Sequence, residues 1–481
     1  MIDRKELLAA VDEAEKNRIL VAQGKYRHKF HIMPPVGWLN DPNGLCYYKG
    51  WHHVFFQYSP TDPSGGMKCW GHYRSKDLCT WQYLGVPFLP DQPQDKDGVY
   101  SGCAFVDDGK MEIFYTGNTK EKGEFDYITA GRGANVIYCS SEDGIHFSSK
   151  EVLLTNADYP KECSNHVRDP KVWKESSIYY MVLGARTLDD QGAILLYESA
   201  DKKQWSFIRM IRASEKFGYM WECPDMFDLD DLHVLACCPQ GVESETLRYQ
   251  NIYQSGYFLT KEEEMDSGFI EWDMGFDFYA PQTYLNEQGE RILIGWAGLP
   301  DAPYTNQGSI QEGWQHSLTL PRKLTARNGK IYQNPAEELK NCRIQEIALM
   351  DQHLDTQSFD LLIEFEHIDG TLDSDQAKRG FILNEDLKFL FENGNLTLEF
   401  LNNTGEGRGI RRAKIQELKS LRILYDVSML EIYVNEGELV FTSRYYPKQH
   451  IDTNITLIGP VTSKQCWEMS FQEYKNVDKI L

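Results

Sequence analysis

Three carboxylates in the sequence lie in short clusters of polar and turn-forming residues, each directly before an apolar run. Asp41 lies in WLNDPNG (38–44), Asp169 in VRDPK (167–171) and Glu222 in WECPD (221–225). Two carboxyl groups that face one sugar ring suffice for glycoside hydrolysis, if one is ionised and the other holds a proton near neutral pH. The clusters therefore make cleavage of a glycosidic bond the first chemistry to consider.

Asp41 also has a simpler interpretation. Asn, Asp, Pro and Gly are the residues of tight turns, so NDPNG (40–44) alone predicts a turn. The amides of Asn40 and Asn43 could stabilise a charged Asp41 in the same place. We expect Asp41 where a strand ends in a tight turn that aims its carboxylate.

The other two carboxylates have neighbours that suggest their charge. Arg168 precedes Asp169, and its positive charge should keep Asp169 ionised. Glu222 lies between Trp221 and Cys223, an apolar setting that should raise its pKa. A surface ion pair and a chance acid in a strand remain the alternatives for Asp169 and Glu222.

The sequence contains no motif typical of metal-dependent, serine-nucleophile or nucleotide-cofactor catalysis. There is no HExxH or paired histidine spacing, no GxSxG, and no GxGxxG or Walker loop after a strand. The histidines considered as metal ligands are His31, His52, His53, His72 and His166. We therefore predict neither a metal nor a cofactor.

Composition limits the partners and the compartment. The 481-residue chain has a formal net charge of −22, which argues against nucleic acid and anionic membranes. Its 11 cysteines form no CxxC pair, as expected of free thiols in a reducing compartment. Signal-peptide and membrane-span patterns are missing from the sequence, so we predict a cytoplasmic protein. A homo-oligomer is possible, and no sequence feature demands one.

Two series of short motifs recur at steps of about 60 residues. SKDLCTW (75–81), SEDGIHF (141–147) and SADKKQW (199–205) each read Ser-x-Asp-x-x-x-aromatic between alternating runs. A second series of polar clusters precedes apolar runs at Asp41, Ser101, Asp169, Glu222 and Ala280. Such spacing is typical of propeller blades, in which equivalent positions point at one another around a channel.

These patterns predict an all-β protein: a five-bladed β-propeller followed by a C-terminal β-sandwich. We place an N-terminal helical extension at 1–25, the propeller at 26–333, a short helical linker at 334–345 and the sandwich at 346–481. Asn393-Gly394 and Glu436-Gly437 predict hairpins in the sandwich. Whether the N-terminal helix packs on the propeller stays open.

The three clusters, in order and at these spacings, resemble glycoside hydrolase family 32, the β-fructofuranosidases, over nearly the whole chain. The resemblance implies that Asp41 is the nucleophile, Asp169 a transition-state stabiliser and Glu222 the acid/base. FFQYSP, WGHY, YSGCA, YAPQ and GWAG also resemble family motifs. With the first and second clusters they imply these substrate-binding residues: Asn40, Gln57, Trp70, Ser101, Arg168, Tyr279 and Trp296.

One stretch departs from the family pattern. Many secreted members carry a Trp where this chain has Gly65, which leaves one apolar wall of the fructose pocket in doubt. The stretch resembles intracellular bacterial sucrose-6-phosphate hydrolases more closely. Lys68 could then contact a phosphate group, but we expect it to be an exposed surface lysine.

The resemblance implies retaining hydrolysis of terminal, non-reducing β-D-fructofuranosides, chiefly sucrose or sucrose 6-phosphate, through a fructosyl-enzyme. Short fructans are further candidate substrates. An exo-acting fructo-oligosaccharide hydrolase and a fructosyltransferase remain alternatives, because the leaving-group and acceptor sites lie in loops. A propeller that binds fructosides without cleaving them is the alternative from a different class of protein.

Overall fold

The computed structural model describes residues 3–261, 264–265, 267–349, 352–367, 378–448 and 452–470. Within them the chain forms seven sheets, five in the propeller and two in the sandwich. Most runs identified as strands alternate between buried and exposed residues or are buried on both faces, as expected for stacked sheets. The all-β propeller-plus-sandwich prediction is confirmed.

Each of the first three blades is built from four consecutive strands that pair in sequence order, with the first strand next to the channel. Blade one contains β1 (Gly37–Tyr48), β2 (Trp51–Ser59), β3 (Cys69–Ser75) and β4 (Trp81–Phe88). Blade two contains β5 (Val99–Asp107), β6 (Lys110–Lys120), β7 (Arg132–Ser141) and β8 (Glu151–Leu154). Blade three contains β9 (Cys163–Glu175), β10 (Ile178–Thr187), β11 (Gly192–Ser199) and β12 (Ser206–Ile211).

The last two blades are less regular. Blade four contains β13 (Met220–Leu229), β14 (Leu232–Gln240), β15 (Gly256–Lys261), β16 (Glu264–Met265) and β17 (Ile270–Glu271). Blade five begins with β18 (Tyr279–Leu285) and β19 (Arg291–Trp296). The chain then passes through helix α3 (Gln307–Ile310) and β20 (Trp314–Gln315) before β21 (Arg322–Arg327) and β22 (Lys330–Pro335) complete the blade.

The segment between β19 and β21 of blade five closes the propeller. Strand β20 pairs in parallel with β1, Gly37 opposite Trp314 and Trp38 opposite Gln315. The first strands of the five blades contact one another around the ring. This closure brings residues from both ends of the propeller together beside β1.

The Ser-x-Asp motifs occupy the same place in three blades, the turn between the third and fourth strands. In each, the serine hydroxyl donates to the aspartate, which also accepts backbone N–H groups of the turn. The pairs are Ser75–Asp77, Ser141–Asp143 and Ser199–Asp201. The predicted blade repeat is thereby confirmed at the level of individual hydrogen bonds.

The N-terminal segment packs on blade one. Helix α1 (Arg4–Glu15) buries Leu7 and Val11, and helix α2 (Arg18–Ala22) follows it. Glu15 accepts hydrogen bonds from the hydroxyls of Tyr58 and Tyr83 at 3.2 and 2.6 Å. The helix therefore lies against the propeller wall, which the sequence left open.

The sandwich has two six-stranded sheets. A 3-10 helix (Glu337–Cys342) precedes it, inside the predicted linker. The strands are β23 (Arg343–Glu346), β24 (His353–Leu354), β25 (Ser358–Phe365), β26 (Arg379–Leu383), β27 (Leu387–Glu392), β28 (Asn395–Phe400), β29 (Ile410–Lys414), β30 (Ser420–Asp426), β31 (Met429–Val434), β32 (Leu439–Arg444), β33 (Thr453–Ile458) and β34 (Val461–Met469). Sheet orders are β23-β34-β25-β30-β31-β32 and β24-β33-β26-β27-β28-β29.

Both predicted sandwich hairpins occur. Asn393-Gly394 joins β27 to β28 with positive φ at both residues, as a two-residue type I′ turn requires. Glu436-Gly437 lies in the connection between β31 and β32, which contains a short 3-10 helix (Asn435–Gly437). Two further 3-10 helices occur at Asn156–Asp158 and Asn403–Gly405.

Buried ion pairs hold the sandwich against the propeller. The guanidinium of Arg322 lies 3.1 Å from Asp273 and 2.8 Å from Glu431 of the sandwich. His31 lies between Asp426 and Glu431, at 2.8 and 3.1 Å. Because an unpaired buried charge is costly, these contacts fix one arrangement of the two domains.

All eleven cysteines are free thiols. Among the residues that the structure describes, no helix combines the length and the apolar character needed to cross a membrane.

Candidate active site

The first strand of every blade carries a β-bulge at a corresponding position, and β1 and β9 each have a second irregularity in their pairing with the next strand. At each bulge two residues face a single residue of the second strand, which breaks the alternation and turns side chains toward the channel. The bulges are Asn40-Asp41 opposite Gln57, Tyr100-Ser101 opposite Thr116, Asp169-Pro170 opposite Leu183, Cys223-Pro224 opposite Cys237, and Ala280-Pro281 opposite Gly295.

Local sequence explains why the bulges form there. Prolines are the second residue of three of the five bulges, at Pro170, Pro224 and Pro281, and proline fits a bulge because it has no N–H to donate to the ladder. Asp169, Cys223 and Ala280 have positive φ angles of 61°, 48° and 47°, backbone that non-glycine residues rarely adopt. The second motif series predicted from spacing is this row of bulges.

The prediction of a tight turn at WLNDPNG is wrong. Residues 38–44 lie inside β1, which continues to Tyr48, and Asp41 belongs to its bulge. The segment contains turn-forming residues because a β-bulge, like a turn, requires irregular backbone angles. Asn43 donates to the Asp41 carbonyl at 3.0 Å and accepts from the Gly102 N–H at 2.9 Å, so it supports the bulge and joins blade one to blade two.

Both carboxylate oxygens of Asp41 are held by hydrogen-bond donors. Asn40 Nδ2 donates to Oδ1 at 2.9 Å, and the Ser101 hydroxyl donates to Oδ2. Asn40 Nδ2 also contacts the side-chain oxygen of Gln57. These contacts orient the carboxylate and leave it able to act as an anion.

Asp169 is buried, and its pKa is shifted in the direction opposite to our expectation. Burial raises the pKa to about 7; the Arg168 charge lowers it, but the negative charges of Glu222 and Asp41 add to the rise. The Cys223 N–H donates to Asp169 Oδ2 at 2.9 Å. Arg168 does not keep Asp169 fully ionised, because its guanidinium is directed to Glu222 instead.

Glu222 accepts hydrogen bonds from two donors and faces one cation. Tyr279 and Gln240 each donate to Oε2 at 2.8 Å, and Arg168 Nη1 lies 3.2 Å from Oε1. Burial raises the pKa of Glu222, and the charge of Asp41 raises it further, while Arg168, Tyr279 and Gln240 oppose the rise. The predicted direction of the shift is confirmed.

The reason given for that shift needs correction. The ring of Trp221 does not surround Glu222, because it points to the other face of β13, where it is fully buried and donates to the Phe217 carbonyl at 2.7 Å. Burial inside a polar channel, next to a second carboxylate, is what favours the protonated form of Glu222.

His166 holds Arg168 in place. Its Nδ1 lies 2.5 Å from Arg168 Nη2, and its Nε2 lies 2.8 Å from the Tyr127 carbonyl. A carbonyl can only accept, so Nε2 carries the proton and Nδ1 accepts from the guanidinium. Burial and the nearby charges of Arg168 and Arg132 lower the pKa of His166 to about 3, so it stays neutral.

The structure brings most of the predicted binding residues to the channel and leaves one outside it. Trp70 is fully buried between blades, and its Nε1 donates to the Tyr100 carbonyl at 3.1 Å. It therefore supports the site from behind and has no surface for a sugar. Trp296 is also buried, but its ring borders those of Tyr279 and Trp38 at the site.

Lys68 is not the exposed lysine that the sequence suggested. Its side chain is half-buried at the site, where Nζ donates to Asn40 Oδ1 at 2.9 Å and lies 4.9 Å from the Trp38 ring centroid. The error has a physical cause: Lys68 precedes β3 in a glycine-containing loop, and a loop lysine in sequence usually means solvent. Its contacts depend on how the loop folds back onto β1.

Beyond the bulges, an ion pair links the first strands of blades three and four. Lys171 Nζ lies 3.1 Å from Asp225 Oδ2 and donates to the Thr283 carbonyl at 2.6 Å. Asp225 also accepts from the Thr283 N–H and hydroxyl. The three groups come from blades three, four and five, so these contacts link the first strands of the three blades.

Sequence reasoning missed several residues at the site. Gln240 contacts Glu222, Thr116 Oγ1 accepts from the Asp169 N–H at 2.8 Å, and Trp38 Nε1 donates to Asn40 at 2.8 Å. Gln240 and Thr116 lie on second strands, in runs that carry no motif. Trp38 stands in the first motif itself and could have been identified there.

Two family models cover almost the whole chain. The description "Glycosyl hydrolases family 32 N-terminal domain" matches residues 31–335, and "Glycosyl hydrolases family 32 C terminal" matches residues 335–471. The junction between them coincides with the end of β22 at Pro335.

Curated relatives and solved structures agree with the family models. The chain is 37% identical to the sucrose-6-phosphate hydrolase of Bacillus subtilis (strain 168) over 455 residues, 91% of this chain and 92% of the relative. It is 35% identical to that of Staphylococcus xylosus over 481 residues, covering 96% and 94%. The family-32 β-fructofuranosidase of Bombyx mori, in a mutant form with bound sucrose, superposes with a TM-score of 0.82 at 27% identity, covering 98% and 99%. The sucrose-6-phosphate hydrolase of Lactobacillus gasseri superposes with 0.81 at 28% identity, covering 96% and 97%. This chain belongs to glycosyl hydrolase family 32.

Proposed function

We propose that the chain is a β-fructofuranosidase that hydrolyses sucrose or sucrose 6-phosphate with retention of configuration. One observation carries the proposal: Asp41 and Asp169 lie in the bulges of their first strands, Glu222 directly precedes the bulge of a third, and the three carboxylates face one channel. Their charges act on one another, since the pKa values of Asp169 and Glu222 both respond to Asp41.

In the first step, a carboxylate oxygen of Asp41 attacks C2 of the fructosyl unit. The bond from C2 to the leaving oxygen breaks, and that oxygen takes the proton held by Glu222. The raised pKa of Glu222 supports the acid role, because it favours the protonated form that must donate to the leaving oxygen. The donors on Asp41 support the nucleophile role, because they hold its lone pairs in one direction.

In the second step, Glu222 takes a proton from water, whose oxygen adds to C2 while the bond to Asp41 breaks. The Tyr279 and Gln240 donors favour the carboxylate form of Glu222 that this step needs. Ionised Asp169 would bind fructosyl hydroxyls and stabilise the positive charge that develops on the ring. The retaining assignment predicts an Asp41–Glu222 carboxyl separation of about 5–5.5 Å.

The printed names of the relatives support the choice of substrate. Sucrose-6-phosphate hydrolases of several bacteria match at 33–37% identity, and a raffinose invertase of Escherichia coli matches at 35%. An exo-acting fructo-oligosaccharide hydrolase or a fructosyltransferase would use the same carboxylates with a different entrance. The free cysteines are in keeping with a cytoplasmic enzyme.

The test is kcat/KM for sucrose, sucrose 6-phosphate, 1-kestose and short inulin, measured side by side. A preference of tenfold or more for the phosphorylated sugar corresponds to about 1.4 kcal/mol of transition-state binding and would identify a sucrose-6-phosphate hydrolase. Equal rates on sucrose and kestose would indicate a general β-fructosidase. Release of fructose from none of these substrates, with binding intact, would instead support a non-catalytic fructoside-binding propeller.

A further inference from the structure

Lys68 places a cation beside the nucleophile, although no step above uses it. Its Nζ and the Trp38 Nε1 both donate to Asn40 Oδ1, at 2.9 and 2.8 Å. With the amide oxygen occupied twice, Asn40 must direct its Nδ2 to Asp41 Oδ1, at 2.9 Å. Lys68 thus fixes the amide that orients the carboxylate.

The ammonium group has donors left for a ligand. It carries three N–H bonds, and among the described residues Asn40 Oδ1 is its one hydrogen-bond acceptor. The Trp38 ring beneath it supplies only a cation–π contact, at 4.9 Å. A half-buried ammonium with unused donors, in a pocket that takes a polyhydroxyl ring, is suited to hydroxyl groups of that ring.

Gly65 leaves the space that such a contact requires. A Cβ added at Gly65 would have the Trp38 ring as its nearest neighbour, at 4.0 Å. Gly65 and Gly66 have φ angles of 107° and 154°, so the loop takes a path that larger residues would strain. The loop therefore places no side chain from position 65 against Trp38, and Lys68 reaches that ring instead.

We propose that Lys68 binds the fructosyl unit: its ammonium donates to ring hydroxyls on the Asp41 side of the pocket and holds Asn40 in its working orientation. This inference rests on the proposed β-fructofuranosidase function. It places Lys68 on the fructosyl side, because Lys68 contacts Asn40, which in turn donates to Asp41, whereas the leaving group must lie beside Glu222.

The charge of Lys68 makes the contact dependent on pH. Burial lowers the pKa of Lys68 to about 8, opposed by the negative charge of Asp41. His316, which packs against Trp38, is neutral because burial holds its pKa well below the usual value. The donor is therefore present below pH 8 and is lost as the pH rises through 8.

The test is the affinity of the Glu222→Gln variant for sucrose, measured by calorimetry from pH 6 to 9.5. This background stops turnover and removes Glu222 as a titrating group; Asp169, with a pKa of about 7, is ionised over the upper part of the range. We expect affinity to fall above pH 8 by up to about tenfold per unit. Adding Lys68→Met should weaken binding about tenfold or more at pH 7 and abolish that fall. Adding Lys68→Arg should retain binding and also abolish the fall, because arginine stays charged.

Each other outcome has a definite meaning. If Lys68→Met leaves both affinity and pH profile unchanged, or if Lys68→Arg keeps the fall near pH 8, the inference is wrong. If Lys68→Met weakens only sucrose 6-phosphate, Lys68 contacts the phosphate and the fructosyl assignment is overturned. If the wild type cleaves no fructoside and Glu222→Gln binds none, the proposed function itself fails. Thermal unfolding of each variant checks that the fold is retained.

Discussion

Replacing Asp169 by Asn should stabilise the protein, and by an amount that depends on pH. Asn has nearly the shape of protonated Asp and can accept the Cys223 N–H through its oxygen. It removes a buried charge that sits near the like charges of Glu222 and Asp41. The variant should therefore lose activity and gain stability.

The size of the gain follows from the pKa of Asp169. An unfolded aspartate has a pKa of about 3.9, and Asp169 has a value of about 7 in the folded protein. The difference of about 3 units, at about 1.36 kcal/mol each, gives an upper limit of about 4 kcal/mol. Because the folded pKa is raised, the contribution of Asp169 to wild-type stability falls as the pH rises from about 4 to about 7 and is constant above. The advantage of Asp169→Asn should be absent near pH 4 and complete above pH 7.

The assay is the thermal unfolding of both proteins at several pH values between 5 and 8. Asp143→Asn is the control, because the His146 ring and backbone N–H groups hold the pKa of Asp143 below its usual range. That variant should be less stable than the wild type at pH 8. An Asp169→Asn variant no more stable at pH 8 than at pH 5, relative to wild type, would refute the assignment of a buried, partly protonated Asp169.

Three further outcomes follow from the site and its scaffold. Tyr279→Phe should move the alkaline limb of kcat/KM upward by about one unit, because a donor to the Glu222 carboxylate is lost; a limb that stays in place would remove Tyr279 from that role. Gly102→Ala should unfold at lower temperature, since a Cβ there would lie 2.0 Å from the Phe114 carbonyl oxygen; an unchanged Tm would contradict the close approach. A thiol reagent should label the native protein at Cys163 first, because the other ten cysteines are buried; rapid labelling of several thiols would contradict that burial.

The blade repeat could be predicted from the sequence because the same local hydrogen bond recurs in three blades. Ser75-x-Asp77 and its counterparts bond within a few residues, so their pattern survives in the sequence. The bulge positions are visible in the sequence as motifs, but WLNDPNG (38–44) predicts a turn, because proline, glycine and asparagine serve both structures. Bulge and turn differ only in whether the next strand continues the pairing, which is a tertiary property.

The environments of the carboxylates could not be read from neighbours in sequence. In a strand, adjacent side chains point to opposite faces, so Trp221 tells little about Glu222. The partners that set its pKa, Arg168 and Tyr279, come from blades three and five. Lys68 was misjudged for the same reason, because its contact with Asn40 depends on the path of a loop.

The most direct test of the mechanism is to identify the residue that carries the fructosyl group. The Glu222→Ala variant should be treated with a β-fructosyl substrate whose leaving group needs no protonation, then digested and analysed by mass spectrometry. The account predicts that the peptide containing Asp41 gains the mass of one fructosyl residue, and that Asp41→Asn abolishes the label. A label on another residue, or product formation with no labelled peptide at any time, would contradict Asp41 as the nucleophile.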